Sequence, residues 1–332
     1  MLIMRALVTG AAGFIGSNLV DRLLADGHQV IGLDNLSTGH AENLDAAQRG
    51  YGHCSVGKFT FIRGDVTAQE FSGIVAATSP HVVFHLAAQA DLQKSVTDPL
   101  YDARVNVLGT INVLEACRRA DVPRVVYAAS GGSRYGAPTL IPVSEQVSIN
   151  PLSPYAAAKI AGELYAGVYA EMYGLSTVCL GLANVFGPRQ DPDGEAGVIA
   201  IFCKALIEGS VPTVYGDGES TRDYVYVGDV VDAFVRAAAA DSTVTGIVNV
   251  GTGLQTSVTK VHRLIAAAVG GAPPPRHAPA RTGEVRAIAL DNTRCRAELG
   301  WAPTVSIADG IKRTIHWLRS TSGPQAESLK AM

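Results

Sequence analysis

Residues 5–16 read Arg-Ala-Leu-Val-Thr-Gly-Ala-Ala-Gly-Phe-Ile-Gly. A short apolar run, Arg5–Thr9, enters glycines at 10, 13 and 16. Ile15, Leu19 and Leu23, with Val20 and Leu24 beside them, then recur at helical spacing. Strand, glycine turn and amphipathic helix in that order form a unit with a physical purpose. The GxxGxxG spacing permits a tight turn, a close approach of backbone to a pyrophosphate and close packing of helix on strand. The first N–H groups of such a helix have no internal partner and suit an anion. Asp34 closes the next strand, 18 residues after Gly16. Its carboxylate is placed to accept hydrogen bonds from an adenosine ribose and to repel a 2′-phosphate. No Arg or Lys follows in Asn35-Leu36-Ser37-Thr38-Gly39 to reverse that choice. The expected cofactor is NAD rather than NADP.

Outward from this unit the same rhythm continues. Gln29–Asp34, Thr60–Gly64, Val82–His85 and Arg124–Ala129 read as further buried strands, and Asn106–Arg119 as a helix with Val107, Ile111 and Leu114 on one face. Alternating strands and helices imply a parallel sheet covered on both sides. After about residue 184 the character changes: Gly187–Gly197 and Gly209–Gly218 are turn-rich around an apolar helix at Val198–Ile207, and Ala272–Pro279 is Pro-rich. Asp223–Ala239 again reads as strand plus helix. The expected organisation is a nucleotide-binding domain over 1–183 with a returning segment at about 223–265. A smaller, mostly helical substrate domain would come from about 184–222 and 266–320, and 321–332 would be a flexible tail.

Composition excludes several functions. The 332 residues are 47% apolar and 17% charged, with 35 glycines, which suits a packed α/β protein and not a disordered chain. A balance of 27 basic to 30 acidic residues offers no surplus for a phosphate backbone, so no nucleic-acid partner is expected. No apolar run reaches the roughly 18–20 residues of a membrane span, and Arg5 interrupts the N-terminal apolar stretch before it resembles a secretory signal. Five cysteines, at 54, 117, 179, 203 and 295, are odd in number and contain no CxxC pair, so they read as reduced thiols of a cytoplasmic protein. His53–Cys54 is the only adjacent His/Cys pair, and nothing near it completes a metal site; no metal is expected.

The chemistry is carried by Ser130, Tyr155 and Lys159. Tyr155-Ala-Ala-Ala-Lys159 sets phenol and ammonium one turn apart on one helix face, and Ser153-Pro154 is a favourable helix start. Ser130 lies 25 residues upstream, at the C-terminal end of a strand, where open α/β sheets bind ligands. A free tyrosine, with a pKa near 10, is a poor base at neutral pH; a nearby ammonium and an oxidised nicotinamide favour its phenolate. Ser130 can hydrogen-bond the same substrate oxygen as it becomes a carbonyl.

Taken together, TGAAGFIGS, DN with a later GD, HLAA, NVLGT, SPYAAAK, ANVFGPRQ and RDYVYVGDVVDA occur in the order found in the extended short-chain dehydrogenase/reductases, which the chain resembles from Arg5 to about Leu318. Within that family it is similar to the sugar-nucleotide 4-epimerases of bacteria. The resemblance implies a Rossmann-type, doubly wound α/β fold. It implies NAD contacts from Gly10, Gly13, Phe14, Ile15, Gly16, Asp34, Asn35, Leu36, Ser37, Thr38, Gly39, Asp65, Val66, Leu86, Ala87, Ala88 and Asn106. Lys159 would hold the nicotinamide ribose and Tyr155 would act as the base. For the sugar nucleotide it implies Asn184, Arg222 and Arg281 around a diphosphate, Glu284 near the uridine ribose, and contacts from Ser130 and Tyr215. The implied activity is inversion at C4 of a UDP-hexose, foremost UDP-glucose and UDP-galactose, in a homodimer formed through helices near 106–119 and 155–173. UDP-glucuronate or UDP-N-acetylglucosamine epimerisation, a net sugar-nucleotide dehydrogenase and a non-catalytic NAD-binding protein are the alternatives.

Three departures bear on this. Ser130 is followed by Gly131-Gly132-Ser133-Arg134-Tyr135, where many relatives have a small apolar residue before the tyrosine; related dehydratases and decarboxylases carry acidic residues just after that serine, so the glycines disfavour those two activities. Gly181-Leu182 replaces a common Arg-Tyr pair, and Ala90 stands where some 4-epimerases have a lysine. Arg134, flanked by Gly131, Gly132 and Gly136, is expected to face solvent and leave the pocket to a neutral hexose.

Overall fold

The computed structural model describes residues 3–50, 58–194, 197–280 and 285–321. The sequence unit that opens the chain forms β1 (Arg5–Thr9) and α1 (Phe14–Ala25). β2 (Gln29–Asp34), β3 (Phe59–Arg63), β4 (Val82–His85), β5 (Arg124–Ala129), β6 (Ser176–Leu182) and β7 (Gly246–Val250) complete a seven-stranded sheet. Its spatial order is β7-β6-β5-β4-β1-β2-β3, and every pairing is parallel. The order reverses between β1 and β4, so the crevice beyond their carboxyl ends is the switch point at which such sheets bind ligands.

Both faces are covered. β5 is buried along its whole length, as its unbroken apolar run requires. On one face α2 (Phe71–Thr78), α3 (Gly109–Arg119) and α4 (Pro154–Tyr173) pack side by side, with Phe71, Val113, Cys117 and Ala166 among the buried side chains. α4 starts because Ser153 accepts the Ala156 N–H at 3.1 Å and Pro154 supplies the first residue; it stops at Gly174, in the left-handed region at φ +68°. On the other face lie α1 and α6 (Val227–Ala239), the latter following α5 (Val198–Ile207) in the chain.

α5, α7 (Val258–Val269) and α8 (Ile307–Thr321) pack on one another in a separate helical layer. Three short strand pairs join this layer to the sheet's carboxyl end. Asn184–Phe186 lies beside Tyr224–Tyr226, Thr221–Arg222 beside Thr256–Ser257, and Thr213–Tyr215 beside Arg276–Ala278. Asp223 fixes the junction by accepting the N–H groups of Thr252, Gly253 and Leu290. That buried carboxylate is held by three backbone donors, so Arg222 and the end of β7 are set rigidly relative to each other.

Two local features differ from the sequence reading. Residues 104–108 form a π turn ahead of α3, where simple helical periodicity predicts a uniform helix from 106. β6 and β7 carry no glycine-turn signal comparable to that after β1, and their place in the sheet is set by pairing with β5 and with each other. Cys117, Cys179, Cys203 and Cys295 are buried free thiols, and His53 and Cys54 lie outside the described residues. Among the described residues no helix is long and apolar enough to cross a membrane, and no three His, Cys, Asp or Glu side chains gather as a metal site.

Candidate active site

Two clefts open at the carboxyl end of the sheet and meet at Ala90. The first, about 250 Å³, is lined by Gly10, Gly13, Phe14, Ile15 and Gly16, by Asp34 and Asn35, by Asp65 and Val66, and by Leu86, Ala87 and Ala88. Gly10 adopts φ +70°, and a side chain there would run into the backbone of Ala87 at 2.8 Å. A Cβ on Gly16 would overlap the Gly10 carbonyl, so α1 reaches the turn only because no side chain intervenes. Among the described residues no side chain caps α1, which leaves its first N–H groups to an anion. Asp34 accepts the Ala12 N–H at 2.9 Å and the Leu36 N–H at 2.8 Å. Those bonds fix the carboxylate and leave lone pairs for ribose hydroxyls.

Ser37, Thr38 and Gly39 continue the loop, which returns to the glycine turn where the His40 N–H donates to Ala12 O at 3.1 Å. Burial opposes ionisation of Asp65, yet hydrogen bonds from Thr67 and Asn35 outweigh it and hold its carboxyl below the usual range. The backbone cradle, the carboxylate at the end of β2 and the apolar walls fit a dinucleotide.

Behind the cleft runs a buried polar cluster. His85 bridges Thr9 at 2.9 Å and Thr110 at 3.0 Å and stacks on Tyr127. Burial, with the Lys159 charge nearby, pushes it down to about 3, so it stays neutral. Asn106, inside the π turn, donates to Gln89 O and to Asp102 Oδ1 and accepts the Gln89 N–H. The sequence reading names Asn106 but misses Gln89 and Asp102; the spacing of Asp102 and Asn106, one helical turn apart, was the available signal.

The second cleft, about 490 Å³, is lined by Ser130, Gly132, Ser133, Tyr155, Asn184 and Arg222, with Leu92, Val96 and Leu182 among its apolar walls. Ser130 follows β5 directly and lines this cleft together with Tyr155; Ser133 donates to Ser130 Oγ at 2.8 Å. Burial pushes the Tyr155 phenol up to about 12, the nearby Ser130 hydroxyl pulling the other way. Lys159, 4% exposed, donates to Ala128 O at 3.0 Å. Burial lowers it to about 8, while Asp102 and Glu163 oppose that shift. Lys159 therefore remains largely charged at neutral pH behind the tyrosine.

Arg134 requires a correction. It does not face solvent: its Nε donates to Glu163 Oε2 at 2.9 Å, and the two side chains are only 12% and 7% exposed. It is not among the residues that line the substrate cleft. Glycine neighbours permit an outward arginine, but the carboxylate on α4, 29 residues away, holds it inside. Tyr215 sits half exposed on its short strand, outside the cleft lining, and Arg281 and Glu284 lie outside the described residues.

A parallel sheet reversing at β1/β4, with a glycine cradle and a Ser–Tyr–Lys group at its carboxyl end, defines a nucleotide-dependent oxidoreductase-type site. The model of the NAD dependent epimerase/dehydratase family matches residues 6–251, and the chain belongs to that family. It is 52% identical to the UDP-glucose 4-epimerase of Mycolicibacterium smegmatis, over 96% of this chain and all of that one. Among solved structures it superposes on the Thermotoga maritima UDP-glucose 4-epimerase with UDP-glucose at TM-score 0.90, with 39% identity over 96% of this chain and 100% of that one. It superposes on the Thermus thermophilus UDP-glucose 4-epimerase in complex with NAD at TM-score 0.87, with 42% identity over 95% and 99%.

Proposed function

We propose that this chain is an NAD-dependent UDP-glucose 4-epimerase, an isomerase that interconverts UDP-glucose and UDP-galactose. The observation that carries the reading is the junction of the two clefts, with Ser130 and Tyr155 on the substrate side and Lys159 buried behind them. NAD, held at Gly10–Gly16 and Asp34, supplies a reversible hydride acceptor. Tyr155 takes the proton of the sugar C4 hydroxyl and later returns it. Ser130 hydrogen-bonds the same oxygen, and the Lys159 charge favours the phenolate. The C4 hydride would pass to bound NAD and return to the opposite face, so the reaction would involve no net oxidation and would favour tight cofactor retention.

In this reading residues 1–183 with 223–265 hold the cofactor, and 184–222 with 266–320 hold the UDP-sugar. Asn184, Arg222 and Arg281 would meet the diphosphate and Glu284 the uridine ribose, with Tyr215 a further substrate contact. The forked donors of arginine suit a pyrophosphate. Dehydration or decarboxylation would need an acid beside Ser130. A Cβ on Gly131 would meet Leu290 at 2.5 Å and the Gly181 carbonyl at 2.6 Å, so no side chain fits there. This reading expects a cytoplasmic homodimer, and the apolar surface that Leu100, Leu108, Leu164, Val168 and Met172 expose on the adjoining helical segments around α3 and α4 supports the dimer. Incubation with UDP-galactose, UDP-glucuronate and UDP-N-acetylglucosamine, followed by chromatographic separation, tests the substrate. Conversion of UDP-galactose to UDP-glucose without NADH accumulation is expected; inert UDP-galactose overturns the reading.

A further inference from the structure

We propose that the Arg134–Glu163 ion pair is a positioning device that sets the Ser130–Tyr155 contact, by tying the helical turn after Ser130 to the helix that carries Tyr155 and Lys159. The proposal rests on the catalytic reading above. Tyr155, Lys159 and Glu163 stand four residues apart in succession, on one face of α4. Arg134 ends the turn Gly131–Arg134, which begins immediately after Ser130. The two elements therefore face each other twice, where Ser130 and Tyr155 line one cleft and where Arg134 bonds Glu163 at 2.9 Å. Ser133, inside the same turn, orients Ser130, and Gly131 is wedged against Gly181 and Leu290. The turn thus has a fixed base and one ionic tether.

Stability alone does not account for such a pair. Removing two charges from water offsets most of their attraction, and apolar residues of similar volume commonly serve a fold as well. Here the pairing is incomplete: Arg134 Nη1 and Glu163 Oε1 are buried without hydrogen-bond partners among the described residues. What the pair does supply is direction, since a buried guanidinium and carboxylate satisfy each other only with the turn in one place on α4. The other charged group facing Glu163 is Lys159; Tyr127, Tyr135 and Cys179 nearby are held neutral by burial. Neither Arg134 nor Glu163 lines the substrate cleft, so any effect on turnover must pass through other residues.

The test uses the NAD-loaded full chain and four proteins: wild type, Arg134→Met, Ser130→Ala and the double variant. Arg134→Met is expected to lower kcat for UDP-galactose roughly ten- to a hundredfold with little change in KM, as a displaced reacting group does. In the Ser130→Ala background the same change should cost less than about twofold, because the contact it acts through is already gone. Loosening Ser130 also removes a bond that favours the phenolate. Ultraviolet titration of Tyr155, read as a difference against Tyr155→Phe, should therefore move to higher pH in both single variants and no further in the double. Equal losses in both backgrounds, or an unmoved titration, overturn the proposal. Glu163→Gln keeps the shape and is read by the same criteria should Arg134→Met fail to fold. Wild type that turns over no UDP-sugar would instead defeat the catalytic reading, and the titration would still report on the tether.

Discussion

Replacing Tyr155 by Phe removes one oxygen from a helix position whose ring still packs. In the structure that oxygen faces Ser130 across the cleft lining, and Ser130 has its own partner in Ser133 at 2.8 Å. No buried group is thereby left without a partner, so the loss of stability should stay under about 1 kcal/mol, a shift in Tm of no more than about 3 °C for a chain of this size. The glycine turn and Asp34 are untouched, so NAD content should be nearly that of wild type. Chemistry is a different matter. A positioned acid–base group contributes roughly 10²- to 10⁴-fold, or about 3–5 kcal/mol of barrier. The change should therefore appear in kcat and not in KM, because the phenol acts on the proton and the diphosphate anchors the substrate. The assay couples UDP-glucose formation from UDP-galactose to a UDP-glucose dehydrogenase, beside thermal melting and extraction of bound nucleotide. A kcat within about threefold of wild type, with fold and NAD intact, would refute Tyr155 as the base. A fall in Tm beyond about 10 °C would refute the packing argument instead.

Asp34→Ala should weaken NAD binding and narrow the preference over NADP, since a ribose partner and a charge hostile to the 2′-phosphate are lost together; equal affinity of the wild type for both nucleotides, by titration, contradicts this. Arg222→Ala should raise KM for the UDP-sugar and weaken UDP itself with kcat little changed, and unaltered UDP affinity by calorimetry would put Arg222 outside the site. Lys159 has a folded pKa near 8, below its unfolded value, so the unfolded chain binds the extra proton between the two. Its burial therefore costs cofactor-free protein stability near neutral pH, and that cost falls as pH rises from about 8 towards the unfolded value. The Tm advantage of Lys159→Met over wild type should shrink across that window; an advantage that grows with pH would reverse the sign.

What the sequence made legible was local. Gly10, Gly13 and Gly16 declare their role because a turn between strand and helix is decided by the residues within it. Tyr155 and Lys159 declare theirs because one helical turn separates them. The seven-strand order was less open: β6 and β7 are apolar runs whose partners lie far along the chain, and periodicity does not state which strand pairs with which. The π turn at 104–108 keeps nearly helical spacing, so it reads as ordinary helix while turning Asn106 towards Gln89. Arg134 is the instructive failure. Glycines at 131, 132 and 136 argue for freedom, but its position is decided by Glu163 on another element. The residue to notice was Glu163, which extends the Tyr155–Lys159 spacing by one more turn of the same face.

The placement of that third residue bears on how the site divides its labour. Along one face of α4 the order is phenol, ammonium, carboxylate, and each has a partner on or beside β5: Ser130, the Ala128 carbonyl and Arg134. The helix and the strand's carboxyl end are thus joined by three polar contacts within nine residues of helix, 155–163, and only the first of them touches substrate in the proposed reaction. A contact between two neutral hydroxyls holds two elements in register only weakly, because losing it costs little net free energy. An ammonium buried on a backbone carbonyl and a guanidinium buried on a carboxylate hold them firmly, because displacing either leaves a charge uncompensated. The backbone that carries Ser130 and Tyr155 is therefore fixed by two buried charges, so that in the proposed reaction the C4 oxygen meets the same pair when the proton leaves and when it returns.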